Sequence, residues 1–318
     1  MKKTKIIIPA VGLVLFGFVL EKVGWTGVFH QLQVIRKALP VLVGLSLLRL
    51  ALQTYAWSQT LRAEGIGAGM GELIGARMAS RGVGYLSVLG PVVAEPMKIR
   101  LLRDHSPSVT ASTLIDTGAY WYSSGVFAIV GCFCAFHFLA GGRHVAPLVA
   151  LALIMVVGLV LIGRPKPLLP SLVRALGRRC PTSIQQAGQI EIAIRDFQGR
   201  HPWSIRLILL LDLACQALLA AEVAVIFLCF GIPFHAGTVL ALEAANRVVK
   251  AMGSWLPARI GADESGMAAA FLTFGLPSAS GLTLALGRRM RDLLEAFLGI
   301  GWLAWRTKSS ARLAASVV

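Results

Sequence analysis

The chain has 318 residues, 56% hydrophobic and 14% charged, and its 31 lysines and arginines exceed its 15 acids for a formal charge of +16. So much apolar sequence exceeds what a soluble core needs and reads as a polytopic membrane protein of all-α class. The basic excess does not indicate nucleic acid: the bases flank apolar runs rather than covering one polar face, so positive-inside bias and contact with anionic lipid account for them.

In chain order, Lys2, Lys3 and Lys5 precede an apolar run at 6–23. The pattern is like a signal peptide, but Glu21-Lys22-Val23-Gly24-Trp25 offers no small-x-small cleavage site, so we expect a retained first helix. Further runs long enough to cross about 30 Å of hydrocarbon lie at 39–57, 109–139, 145–163, 205–230 and 276–305, about six spans in all. Two of the gaps between them hold a duplicated element, an elbow marked by Gly, Pro and an acid, at 77–103 and at 246–274. Pro107 leads to Gly131 and Pro277 to Gly301 across the same 24 residues, with Ser108 matching Ser278 and Thr113 matching Thr283. Paired spans broken at corresponding places in two halves point to a transporter-type site near the membrane midplane. The expected organisation is one integral membrane domain over 1–318, with repeats at 39–139 and 205–305 joined by a basic linker at 164–204.

The stretch 164–206 carries eight bases against two acids, which places it in the cytoplasm together with the lysine-rich start and the tail bearing Arg306, Lys308 and Arg312. Each half then crosses an even number of times. The first elbow is expected to dip in from the cytoplasmic face and the second from the outer face, as two re-entrant hairpins of an inverted repeat. A full crossing by 233–256 would reverse that parity. Within the linker, Ala187, Ile190, Ile194 and Phe197 recur at helical spacing, which fits a helix lying on the membrane surface or a packed linker helix equally.

Charged side chains at membrane depth cost several kcal/mol, from roughly 2.5 upward, so those in the elbows need partners or water. The candidates for substrate binding are Arg81, Glu95, Lys98, Arg100 and Asp116 in the first half and Glu264, Arg288, Arg289 and Arg291 in the second. Pro257 and Gly261 join them because they break the second hairpin and free backbone groups. The 288–291 cluster needs an anionic partner, either Asp263 and Glu264 in an ion-pair network or a phosphate headgroup. Asp212 and Glu222 are buried acids of the fifth span with no role assigned. The cysteines at 132, 134, 180, 215 and 229 suggest neither disulfides nor a zinc site, and the six histidines show no ligand spacing. Neither metal nor cofactor is expected, and no catalytic residue.

Ala94-Glu95-Pro96-Met97-Lys98-Ile99-Arg100-Leu101-Leu102 followed by Asp116, and Pro257, Gly261 and Glu264 followed by Arg289, Arg291, Leu293 and Leu294, resemble the two motifs of the lysylphosphatidylglycerol synthase transmembrane region family. These are flippase-like membrane proteins with a branch associated with hopanoid lipid genes. The first elbow departs from the pattern, with Ala94 where glycine is usual and three residues between Pro91 and Glu95 where six separate Pro257 from Glu264. With the chain ending at Val318, the aminoacyl-transfer domain that follows this region in the synthases is not expected, nor is lysine transfer.

The resemblance implies an inner-membrane lipid translocase that passes an anionic or isoprenoid-type lipid through a cavity faced by Glu95 and Glu264. Two other readings stand beside it: an enzyme modifying a lipid headgroup with Glu95 or Glu264 as general base, and a non-transporting subunit or scaffold for a lipid-biosynthesis enzyme. The expected partners are membrane lipids, not nucleic acid.

Overall fold

A computed structural model of the chain describes residues 25–87, 90–102, 106–139, 181–254 and 256–316. Among them the fold is all-helical, with nine α-helices, one short 3-10 turn and no strand. The helices are α1 (Trp25–Ala63), α2 (Met70–Leu86), α3 (Gly90–Arg100), α4 (Pro107–Leu139), α5 (Pro181–Arg200), α6 (Pro202–Cys229), α7 (Ala236–Met252), α8 (Ala262–Thr273) and α9 (Ser278–Ser316). The 3-10 turn, Pro257–Arg259, joins α7 to α8.

Three helical stretches are long and apolar enough to cross a membrane: Ala38–Ala63 in α1, Pro107–Phe136 in α4 and Pro202–Cys229 in α6. They overlap the expected spans at 39–57, 109–139 and 205–230. The expected spans at 6–23 and 145–163 lie outside the described residues. The stretch 276–305 is helical from Ser278 onward, within α9, but Arg288, Arg289, Arg291, Asp292 and Glu295 interrupt it, and by composition it is not an apolar crossing. The six-span expectation is therefore seen for three helices only.

The succession of a long helix, a 17-residue helix, a shorter helix and another long helix occurs twice, as α1 to α4 and as α6 to α9. The halves interlock reciprocally. α2 packs on α9 and α7 packs on α4, each against the closing helix of the other half, while α1 and α6 pack on each other. Glycines permit these approaches. A Cβ on Gly82 of α2 would stand 2.8 Å from Ala296 Cα of α9, and one on Gly131 of α4 would stand 2.8 Å from Ala244 Cβ of α7. Each half has its own apolar core, one around Trp57, Leu61 and Leu73 and the other around Phe227, Leu242 and Phe271.

The elbows are helical hairpins. In the first, α2 turns into α3 where Gly84 and Gly90 meet backbone to backbone. In the second, Ala258 and Arg259 adopt φ of +52° and +48°, and Gly261 follows at +81°, a value that suits glycine. Arg289 Nη2 donates to Ala258 O at 3.0 Å, and Gly261 N–H donates to Glu264 Oε2 at 3.0 Å, so the turn is held from both sides. The linker contributes α5. Its Phe197 is buried, and Arg200 of α5 lies 3.0 Å from Glu64 beyond α1, so the C-terminal end of this helix docks on the bundle. The linker before 181 lies outside the described residues.

Candidate functional site

A cavity of about 320 Å³ opens between the two elbows. Residues one helical turn apart share a face, so α2 presents both Arg77 and Arg81 to it and α9 presents both Arg291 and Glu295. α3 adds Glu95 and Lys98, α4 adds Asp116, Thr117 and Tyr120, and the second elbow adds Lys250 and Arg259.

One wall is a charge-balanced cluster built on Asp116. Its Oδ2 accepts from Arg77 Nη2 at 2.8 Å and from Lys98 Nζ at 3.2 Å. Lys98 also donates to Glu95 Oε2 at 3.2 Å, and Thr117 Oγ1 donates to the same oxygen at 2.7 Å. The Trp57 ring lies 5.4 Å from the Arg77 guanidinium and 5.2 Å from Lys98 Nζ, which adds cation–π attraction to two buried bases. Two carboxylates thus meet two cations, the arrangement that burial of charge requires.

The facing wall is less balanced. Arg259 Nε donates to Asp263 Oδ2 at 2.9 Å, and its Nη2 is 3.6 Å from Asp292. Arg291 Nη1 reaches Glu222 Oε1 at 2.5 Å and its Nη2 reaches Asp292 Oδ1 at 3.0 Å. Among the described residues Lys250 makes no ion pair within 4 Å, although it lines the cavity. Bases at 49, 77, 81, 98, 250, 259 and 291 face the cavity against acids at 95, 116, 292 and 295, and Asp263 and Glu222 behind the wall pair with Arg259 and Arg291, which leaves an excess of one positive charge. A low-dielectric pocket with that excess concentrates anions.

Beside the cavity runs a second hollow of about 340 Å³ between α1 and α9, walled by Leu39, Val43, Leu47, Leu294 and Leu298. Arg291 and Glu295 line both spaces. The charged cavity therefore meets an apolar groove at one pair of side chains.

A family model described as the lysylphosphatidylglycerol synthase TM region matches residues 5–299. The chain belongs to this family. It is a membrane protein of a lipid-handling family, and the match covers both elbows and the cavity between them. No match was found among curated protein sequences or among solved structures.

Of the residues that carry the family resemblance, Glu95, Lys98, Asp116 and Arg291 line the cavity, as does Arg81. Arg100, two residues after the buried Lys98, points away and is exposed. Glu264 does not share the cavity with Glu95, contrary to expectation. It is fully buried, caps the start of α8 through Gly261 N–H, and lies 2.5 Å from Arg289 Nη1. The reason is local: an acid three residues into a helix reaches back to the free backbone donor at its start. Arg289 faces this buried acid instead of the cavity. Pro257 and Gly261 supply the turn that places Glu264 there.

Arg288 is buried on the groove side, where its Nε donates to Glu222 Oε2 at 2.9 Å and its Nη2 to Glu243 Oε2 at 2.9 Å. Glu222 thereby gains a role as counter-ion to Arg288 and Arg291. Asp212 is also buried, and its Oδ2 has no hydrogen-bond partner among the described residues. Sequence reasoning does not single out Glu243, Trp57 or Gln53. The signal for Glu243 was present, an acid in an apolar run four residues before Arg247.

Proposed function

We propose that the protein is a flippase-like lipid translocase of a bacterial cytoplasmic membrane, with both termini in the cytoplasm and the elbows entering from opposite faces. One observation carries this reading: a cavity with excess positive charge and an apolar groove meet at Arg291 and Glu295. An amphiphile with an anionic headgroup and a hydrocarbon chain matches both spaces at once. Lys250, Arg81, Lys98 and Arg291 would receive phosphate oxygens, since charge-assisted hydrogen bonds and guanidinium forks suit them. Glu95 and Asp116 would hold the bases in place when no lipid is bound.

Purified protein in vesicles should speed the exchange of fluorescent phosphatidylglycerol between leaflets. Lys250→Gln together with Arg81→Gln should slow it at least tenfold. No acceleration by the unsubstituted protein, or full acceleration by the double variant, would overturn the reading. Chemical turnover of the lipid would instead support a headgroup-modifying enzyme.

A further inference from the structure

Arg81 and Arg247 occupy matched places in the two halves. Counting from Met70 in α2 and from Ala236 in α7, each is the twelfth residue of a 17-residue helix. Each donates Nη2 to the Oε1 of a glutamine on the long helix that opens its own half, Arg81 to Gln53 of α1 and Arg247 to Gln216 of α6. Each also reaches the helix that closes the other half, Arg81 Nη1 lying 3.7 Å from Glu295 of α9 and Arg247 Nε donating to Ser124 Oγ of α4 at 3.0 Å. In the register that matches Pro107 with Pro277, Ser124 corresponds to Leu294, so the two contacts stand one residue apart. One turn earlier, Arg77 bridges to Asp116 of its own closing helix, and Glu243 bridges to Arg288 of its own with the charges reversed.

The two places also differ in exposure. Arg81 faces the open cavity, whereas Arg247 is enclosed, donating Nη1 to Glu243 O at 3.0 Å and to Glu243 Oε1 at 3.3 Å, with the Phe127 ring 6.0 Å away. Its other acceptors, Ser124 and Gln216, are neutral, and Glu243 is shared with Arg288. Arg247 is therefore a largely shielded guanidinium, its side chain 11% exposed, that shares its one carboxylate partner with Arg288. Phosphate oxygens would be stronger acceptors than the hydroxyl and amide it now uses.

We infer that Arg247 is a second station for an anionic lipid headgroup, closed in this conformation and pseudo-equivalent to Arg81 in the open cavity. It rests on the transport reading above. The second station opens when α7 parts from α4 near Ser124, and the first closes when α2 and α9 come together near Glu295. The interlocked packing of α2 on α9 and of α7 on α4 makes these the two matched contacts that such an exchange would use. A headgroup then drives the exchange only as far as it binds the two states differently.

Single cysteines replacing Ser124 and Glu295 would be probed in membrane vesicles with a membrane-impermeant maleimide applied from each face, with the native cysteines of the unsubstituted chain as background. E295C should react from one face and S124C from the opposite face, and short-chain phosphatidylglycerol should slow both. S124C that stays unreactive from both faces, or reacts from the same face as E295C, overturns the inference. Arg247→Gln should cut flipping at least tenfold while lipid still slows E295C labelling, and Arg247→Lys should recover part of the rate. Flipping by Arg247→Gln at the unsubstituted rate also overturns it. Opposite-face labelling slowed by lipid, in a protein that flips nothing, would support the second station and sink the transport reading. Flipping without labelling of S124C would do the reverse.

Discussion

Arg288 Nη2 donates to Glu243 Oε2 at 2.9 Å, a bridge from α9 to α7 in which both side chains are buried. Since Glu243 also accepts from Arg247 at 3.3 Å, one carboxylate joins two arginines. Glu243→Ala should lower unfolding stability in detergent by about 3–5 kcal/mol, because it leaves buried cations with too few acceptors. Combining it with Arg288→Met should cost less than the sum of the two single changes. Additive losses in denaturant unfolding would show that the bridge carries no coupling energy.

Asp116 plays the matching part in the first half. Asp116→Asn keeps the shape but removes the charge that Arg77 and Lys98 share, and the expected loss is again about 3 kcal/mol. Adding Lys98→Met should restore much of the folded yield, because Arg77 alone can hydrogen-bond the amide. Size-exclusion profiles and melting temperatures of the two variants would decide it.

The seam between α2 and α9 tolerates no side chain at Gly82, where a Cβ would lie 2.8 Å from Ala296 Cα. Gly82→Val should destabilise the protein by about 1–3 kcal/mol. Gly71→Ala on the same helix meets nothing within 4 Å and should stay within about 0.5 kcal/mol of the unsubstituted chain. Equal melting temperatures for the two variants would contradict the close packing.

Lys250 is the cavity base without an ion pair among the described residues. Lys250→Gln should therefore weaken binding of phosphatidylglycerol about tenfold, the scale of one charged hydrogen bond, without lowering the melting temperature. Glu264→Gln should do the opposite, because Glu264 is buried behind the cavity against Arg289: the fold weakens, while the protein that remains folded keeps its lipid affinity. Lipid titration and thermal melting of the same samples separate the two effects.

Composition and periodicity carry the class of this protein, because spans such as 109–139 and 205–230 have no stable place but hydrocarbon or a core of their own kind. They also carry the duplication, since Pro107 and Pro277 stand at the start of matched segments, the first opening α4 and the second just before α9. The motif residues were legible as charges at membrane depth. Pairing was not legible. Glu264 and Glu95 look alike in the chain, yet one caps a helix and faces Arg289 while the other faces the cavity. Glu243 and Arg288 meet across 45 residues and Arg291 and Glu222 across 69. Local sequence sets which residues share a helical face, but which faces meet depends on the crossing of α2 over α9 and of α7 over α4. Those crossings turn on the summed packing of glycines and small side chains from both halves, and no single segment encodes that sum.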